Sequence, residues 1–433
     1  MDEVIEPLRR LEDANVEYCV LRNYEFAACE DLDGDVDVLV KSEDRDRIHE
    51  ILTDEGYYPF EGDTTRQTRY RGYVASHRKI VTIDLYWNAP TYNGLPFLIG
   101  DLVLDRRRQF EGIWIPSEED YFVELVFHSV LNKNRFKAKY RSELERLREE
   151  VERETVRSHA RAVFGELGVQ TVNLVLNAKF DEALGNKWLF VRTGLTREPR
   201  DIPRLVYNLL VLREVVRPLL KTFDRVLPRP KPVVAVLGPD GVGKSTIAEG
   251  IRETFENNGL DAQNKKLGVH SGAGVLLRGV RRLYNSVSGS GSDSEAKARG
   301  SAKLGNRSSS VLATVPVLDW WLRYVHTWVG NGDVVVADRY FHELPVYFEP
   351  GPFERLIEWS EPSVFAGVVL TDELEALAER SEFGRDSVET FECRLAAVEL
   401  PRVSVSDDPD ETLDAVLSET MDVYLDGQSY ADR

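Results

Sequence analysis

The residues best equipped for chemistry are those from 238 to 246, GPDGVGKST. Gly238, Gly241 and Gly243 let the backbone curl until successive N–H groups point inward. Pro239, Asp240 and Val242 complete the turn, and Lys244, Ser245 and Thr246 open what reads as a helix. An apolar run, VVAVL, precedes the loop, so the order is strand, loop, helix. In the pattern G-x-x-x-x-G-K-[ST] such a loop cradles phosphates: its N–H groups face phosphate oxygens, the lysine adds a point charge at the β- and γ-phosphates, and the serine hydroxyl is placed to ligate Mg²⁺. ATP and Mg²⁺ are the cofactors this implies. The plain alternative is a glycine-rich turn with an accidental lysine.

A second strand, within NGDVVVADRY at 331–340, delivers Asp338 and Arg339 at its C-terminal end. Ligands of open α/β sheets sit at the carboxyl ends of parallel strands. Asp338 is therefore expected to orient a Mg²⁺ shell and Arg339 to neutralise the phosphate in transfer. The alternative is a strand-end ion pair. Three carboxylates near the N-terminus form another candidate set. In GDVDVLV, at 34–40, alternation puts Asp35 and Asp37 on one face and Val36, Val38 and Val40 on the other. In KIVTIDLYW, at 79–87, Asp84 stands alone between Ile83 and Leu85, where a carboxylate is costly unless paired or metal-bound. Together they supply the acidic triad that two-metal phosphoryl chemistry requires. Strand-end aspartates in a turn region are the alternative.

The elements that must position these residues follow from periodicity. Helical spacing over 2–15 places Val4, Ile5, Leu8 and Leu11 on one side. Strands are expected at 16–23, 34–40 and 79–87, and a helix at 43–56 closed by glycine, with a polar Arg- and Tyr-rich stretch before 79. Ser117 to Asp120 reads as a capping box opening a long helix, in which His128 is expected as a packed core histidine. Helices are expected to continue over 140–168, 171–185 and 202–223, the charge runs near Glu143 to Arg157 being a solvated face. Pro228, Pro230 and Pro232 mark a stiff linker. Beyond the phosphate loop, strands are expected at 265–269, 363–370 and 402–406. A Ser/Gly-rich stretch at 285–310 has little apolar material to bury and reads as a mobile loop. Helices are expected at 312–329, 372–383 and 411–425, the tryptophans of the first being core. Alternating strands and helices make a doubly wound parallel five-stranded sheet.

Composition sets the class. At 433 residues with ordinary apolar content, the chain holds two or three globular domains. Cys19, Cys29 and Cys393 form neither a disulfide framework nor a metal spacing, which points to a reducing cytoplasm. No leader pattern or membrane-length apolar run is visible, so a soluble protein is expected. With 74 acidic against 55 basic residues, the net charge of −19 disfavours nucleic acid as a partner. The same acidity suggests a salt-rich source; equal thermal stability in low and molar KCl would count against that.

The N-terminal pattern resembles a known family. LRN, then D-x-D on the next strand, then a third strand with Asp84 and the DLYW sequence, resemble the nucleotidyltransferase superfamily that includes DNA polymerase β, and within it a small prokaryotic branch. The resemblance covers about 16–130. It implies nucleotidyl transfer from a nucleoside triphosphate, with Asp35 and Asp37 on the metals and Asp84 completing the set. Where that superfamily carries a Gly-Ser pair for the triphosphate, this chain has Leu21-Arg22-Asn23, so Arg22 and Asn23 are the residues expected to take over phosphate binding.

Residues 231–433 resemble the thymidylate kinase family of nucleoside monophosphate kinases, on GPDGVGKST, on DRY at a strand end and on a later helix carrying arginines. The resemblance implies that Asp240 is the carboxylate inside the loop, that Asp338 and Arg339 form the strand-end pair, and that Arg380 and Arg385 are lid arginines closing on the donor. In place of that family's R-E-P-G segment stands VHSGAGVLLRGVRR, which implies an acceptor other than thymidylate.

The expected architecture is thus α/β: a small α+β nucleotidyltransferase-like domain at 1–116, a helical connector at 117–230 and a P-loop kinase domain at 231–433. The expected function is ATP-dependent phosphoryl transfer to a small phosphorylated or hydroxylated acceptor, fused to a Mg-dependent nucleotidyltransferase. Rival readings are a nucleotide-binding switch with a degenerate transferase domain, and a nucleotidyltransferase acting on a protein or RNA. The expected partners are the small-molecule acceptor and, in a homodimer, a second copy of the chain; a membrane is not expected.

Overall fold

The computed structural model describes residues 2–27, 35–61, 66–92, 95–190, 231–266, 332–339, 365–380, 388–389, 391, 393, 395 and 400–431. The chain divides into two compact units, Met1–Leu227 and Pro228–Ala431. The helices expected at 202–223 and 312–329, the Ser/Gly stretch at 285–310, Cys29 and Arg385 lie outside the described residues. No described helix is long and apolar enough to cross a membrane.

The first unit is built on a mixed sheet of strands β1 (Tyr18–Arg22), β2 (Val36–Val40), β3 (Tyr57–Glu61), β4 (Gln67–Val74) and β5 (Lys79–Trp87), in the order β1-β2-β5-β4-β3. β2 and β5 run parallel, and the other neighbours antiparallel. Helices α1 (Asp2–Asp13) and α2 (Arg45–Asp54) form as their apolar spacing requires; Val4, Ile5, Leu8 and Leu11 are all buried. The hairpin of β3 and β4 replaces the polar stretch expected there. Its sequence, QTRYRGYV, alternates after all: Thr68, Tyr70 and Val74 are buried while Gln67, Arg69 and Arg71 are half-exposed. Arginine aliphatic stems are tolerated on a sheet face that is only half covered.

Short hairpins β6 (Thr91–Tyr92) with β7 (Leu95–Pro96), and β8 (Arg108–Phe110) with β9 (Ile113–Ile115), flank helix α3 (Gly100–Asp105). Helix α4 (Glu118–Phe127) starts where the capping box was expected: the Asp120 N–H donates to the Ser117 hydroxyl at 3.2 Å. A π-helical turn, His128–Lys133, follows, then α5 (Ala138–Glu150), α6 (Arg153–Leu176), which is broken by a kink at Gly165, and α7 (Phe180–Gly185). One hydrophobic cluster runs from Val4 through the sheet to Phe190. Helices α4 to α7 therefore bury their apolar faces against the same core as the sheet, across the position at 116 where the sequence suggests a boundary.

Gly100 shows how closely these parts fit. A methyl group there would come within 1.7 Å of the Asn88 carbonyl oxygen, which is backbone and cannot turn aside. Gly100→Ala is expected to destabilise the protein by about 1–3 kcal/mol, as forced overpacking does. A urea melt with an unchanged midpoint would show that α3 shifts freely.

The second unit contains a five-stranded, all-parallel sheet in the order β11 (Ala262–Lys266), β12 (Val334–Asp338), β10 (Val233–Leu237), β13 (Phe365–Thr371), β14 (Arg402–Ser404). The helices Lys244–Asn257, Leu374–Arg380 and Pro409–Ala431 accompany it. Val233 to Leu237 and Val334 to Ala337 are all buried, as strands covered on both faces must be. Chain order reverses at central β10: β12 lies on one side of it and β13 on the other. The carboxyl end of β10 is thus the switch point, where open α/β sheets leave a crevice.

Candidate functional sites

The phosphate loop leaves β10 at that switch point. Gly238, Gly241 and Gly243 have φ of 144°, 86° and 98°, which L residues seldom adopt. At Gly238 a Cβ would also meet the Leu370 carbonyl oxygen at 2.7 Å, so glycine lets the loop lie directly over β13. The Lys244 ammonium is buried within the loop and donates to the carbonyls of Gly238 at 2.9 Å and Pro239 at 2.6 Å. The Ser245 hydroxyl donates to the Asp338 carboxylate at 2.6 Å, across 93 positions of sequence. A hydroxyl and a carboxylate side by side are the hard oxygen donors that suit Mg²⁺, so these residues fit that ion.

Arg339 follows in a left-handed conformation, φ 73°, its N–H donating to the Val236 carbonyl at 3.0 Å. Its guanidinium contacts the Asp240 carboxylate inside the loop. The structure thus brings together Gly238 to Thr246, Asp338 and Arg339. Arg380 reaches the loop with its backbone, which lies 3.2 Å from a Cβ built on Gly241, while its side chain pairs with Asp372.

In the first unit one row of charge crosses four strands. The register sets Arg22 opposite Asp37, Asp37 opposite Asp84, and Asp84 opposite Arg69. Arg22, expected to take over phosphate binding, is 4% exposed, and its guanidinium is turned to partners inside the protein. Nε donates to Asp37 Oδ2 at 3.1 Å and Nη2 to Oδ1 at 2.6 Å, while Nη1 donates to Glu124 Oε1 at 2.5 Å and contacts His128 Nδ1. Tyr86 donates its hydroxyl to Asp37 at 2.9 Å. Asp84 accepts from Gln67 at 3.1 Å and pairs with Arg69 at 3.1 Å. Asp35 is exposed, and its carbonyl accepts from the Asn23 side chain at 3.2 Å. Asn23 takes the left-handed turn at φ 56° that ends β1.

Burial governs the protonation of this row. It pushes Asp84 up to about 7, opposed by Arg69 and reinforced by Asp37 and Asp35. It pushes Glu124 up to about 8 despite Arg22. Burial, then Arg22, drives His128 downward, so its imidazole stays neutral. Burial works against the charge of Arg22, but Asp37 and Glu124 more than offset it. Burial thus favours the protonated form of Glu124 and the neutral form of His128, which leaves Asp37 as the partner that balances the charge of Arg22. His128 is a buried histidine, as expected, yet one whose Nε2 makes no hydrogen bond, like Glu124 Oε2.

A pH dependence follows. Between about 4.5 and 8, Glu124 ionises in the unfolded chain and keeps its proton in the folded one, so stability falls as pH rises. Asp84 acts in the same sense between about 3.8 and 7. Urea midpoints at pH 5 and pH 8 should differ in that direction, and Glu124→Gln should remove much of the difference. A wild-type midpoint rising toward pH 8 would contradict the burial argument.

For a metal pair the donor set is poor. Both oxygens of Asp37 already face Arg22, and Asp84 faces Arg69. Among the described residues no group of three or more His, Cys, Asp or Glu side chains is arranged to hold an ion. Glu124, Tyr86, Gln67 and Arg69 were not singled out from the sequence. Glu124 carried a signal, as a lone carboxylate in the apolar run YFVELVF; Arg69 carried one in the alternation of β4.

Residues 33–160 match the profile of a family described as "uncharacterised nucleotidyltransferase", a span that includes α4 and α5. No curated protein sequence matches the chain. Among solved structures, similarity is found to a gluconokinase from Sinorhizobium meliloti 1021, at 15% identity over 45% of this chain and 95% of that one, with a TM-score of 0.27. A thymidylate kinase from Candida albicans is 13% identical over 44% of this chain and 90% of its own, TM-score 0.29. A thymidylate kinase from Ehrlichia chaffeensis is 17% identical over 44% and 98%, TM-score 0.25. The kinase-type fold of the second unit rests on its own strand order and phosphate loop. The match of residues 33–160 to a nucleotidyltransferase family, beside the P-loop of the second unit, supports a nucleotide-related transferase.

Proposed function

We propose that the second unit transfers the γ-phosphoryl group of ATP to a small phosphorylated or hydroxylated acceptor. The observation that carries this reading is the 2.6 Å contact of Ser245 with Asp338 at the mouth of a loop that also buries Lys244. Phosphoryl transfer asks a protein for positioning and charge neutralisation more than for covalent chemistry. The loop N–H groups and Lys244 hold the donor phosphates, while Ser245 and Asp338 would hold Mg²⁺, which supplies further positive charge. Arg339, one residue beyond Asp338, is placed to neutralise the group in transfer once it parts from Asp240. The segment replacing R-E-P-G favours an acceptor other than thymidylate.

The test uses ATP labelled separately at the α and γ phosphates, offered with Mg²⁺ and a pool of cell metabolites. Movement of the γ label to a small molecule supports the reading and identifies the acceptor. Tight ATP binding with neither label moved would favour a nucleotide-binding switch instead.

A further inference from the structure

We propose that the first unit carries its own counter-cation: the Arg22 guanidinium occupies the charge-neutralising position on Asp37 that a divalent metal would take, so this unit holds no catalytic metal pair. The inference rests on reading the unit as a nucleotidyltransferase fold, and is independent of the chemistry of the second unit.

Three observations carry it. First, both Asp37 oxygens face Arg22, and Oδ1 also accepts from Tyr86, so most of the acceptor capacity of this carboxylate is already engaged inside the protein. Second, Arg22 is held from behind. Glu124, fully buried, takes its Nη1 at 2.5 Å, and the neutral His128 ring lies against the same nitrogen. Swinging Arg22 away would leave Asp37 and the guanidinium separated inside the protein, the costly condition for buried charge. Third, a β-bulge between Val20 and Arg22, at the end of β1, sets Arg22 opposite Asp37, so the pairing belongs to the β1–β2 ladder. The neighbouring pair differs: Arg69 is 38% exposed at its side chain, so Asp84 could exchange it. A metal pair about 3.5–4 Å apart would draw on Asp84 together with its cross-strand neighbour, which is the Arg22-paired Asp37, and Asp35, the third carboxylate of the set, is exposed.

Mn²⁺ titration followed by electron paramagnetic resonance tests this on the full chain carrying Ser245→Ala and Asp338→Asn, which removes the hydroxyl and the carboxylate charge from the candidate ion site of the second unit. The expected result is no tightly bound Mn²⁺ at submillimolar concentration. One or two bound ions, released by adding Asp37→Asn, would overturn the proposal. Adding Arg22→Ala is expected to create a Mn²⁺ site at least ten-fold tighter than anything in its parent, and Asp37→Asn should abolish it again. A folded Arg22→Ala chain that gains no Mn²⁺ would also overturn the proposal. Should that variant not fold, the parent titration decides alone. Failure of the γ-label experiment would leave these readings untouched, since that hydroxyl and that carboxylate charge are absent throughout.

Discussion

Lys244→Ala is expected to lower γ-phosphoryl transfer by about 10²–10³-fold, the effect of removing one preorganised electrostatic group from a water-poor site. The ammonium is 6% exposed and already lies within the curl of the loop, held by the carbonyls of Gly238 and Pro239 and 3.7 Å from Asp240. It needs only to exchange carbonyl oxygens for phosphate oxygens to act. The loop itself should survive the substitution, because its course is set by three glycines at positive φ and by the close approach of Gly238 to β13. The loss should therefore appear in turnover, with circular dichroism and melting almost unchanged. Measuring transfer of the γ label to the identified acceptor decides the matter. Turnover within ten-fold of wild type in a folded variant would remove Lys244 from the mechanism.

The second large effect concerns folding. Arg22→Ala leaves Asp37 buried without its guanidinium and Glu124 without a donor, and breaking a buried pair from one side costs about 3–5 kcal/mol. At about 2–4 °C per kcal/mol for a unit of this size, the melting transition of the first unit should drop by about 10 °C. Glu124→Gln should cost much less at neutral pH, since Glu124 is pushed up to about 8 and already holds its proton there. Adding Asp37→Asn to Arg22→Ala should restore part of the loss, because it removes the stranded charge; a double-mutant cycle measures that coupling. Purely additive effects of Arg22→Ala and Asp37→Asn would mean that the two groups do not share the charge balance described above.

The two units were legible to different degrees. In the second, each chemical residue sits beside a backbone feature that sequence displays: apolar runs too regular to be anything but buried strands, glycines where φ must be positive, and Asp338 with Arg339 at a strand end. Arg380 was harder. Its helix was expected, but its side chain turns to Asp372, a choice between neighbouring carboxylates that no spacing reveals. In the first unit three of the four strands that bear the row of charge were visible, while the fourth, β4, and its hairpin partner β3 were not. Arginines at alternate positions look like a loop until a half-covered sheet face gives their stems somewhere to lie.

By itself, the sequence determined the local parts: the phosphate cradle, the carboxylates of β2 and β5, the cap at Ser117 and the repeated strand and helix units of the second half. These depend on periodicity of two or 3.6 residues and on which side chains permit a given φ, all properties of neighbours along the chain. Only the tertiary structure decided that Arg22 faces Asp37, that Glu124 of α4 and His128 of the turn after it close over it, and that Ser245 meets Asp338. Those contacts join residues separated by 15, 102, 106 and 93 positions. They depend on strand order, register and helix packing, which burial of the whole core selects and no local pattern encodes. The role of the N-terminal aspartates turns on that difference, because a carboxylate that reads as a metal ligand in the sequence meets an arginine in the fold.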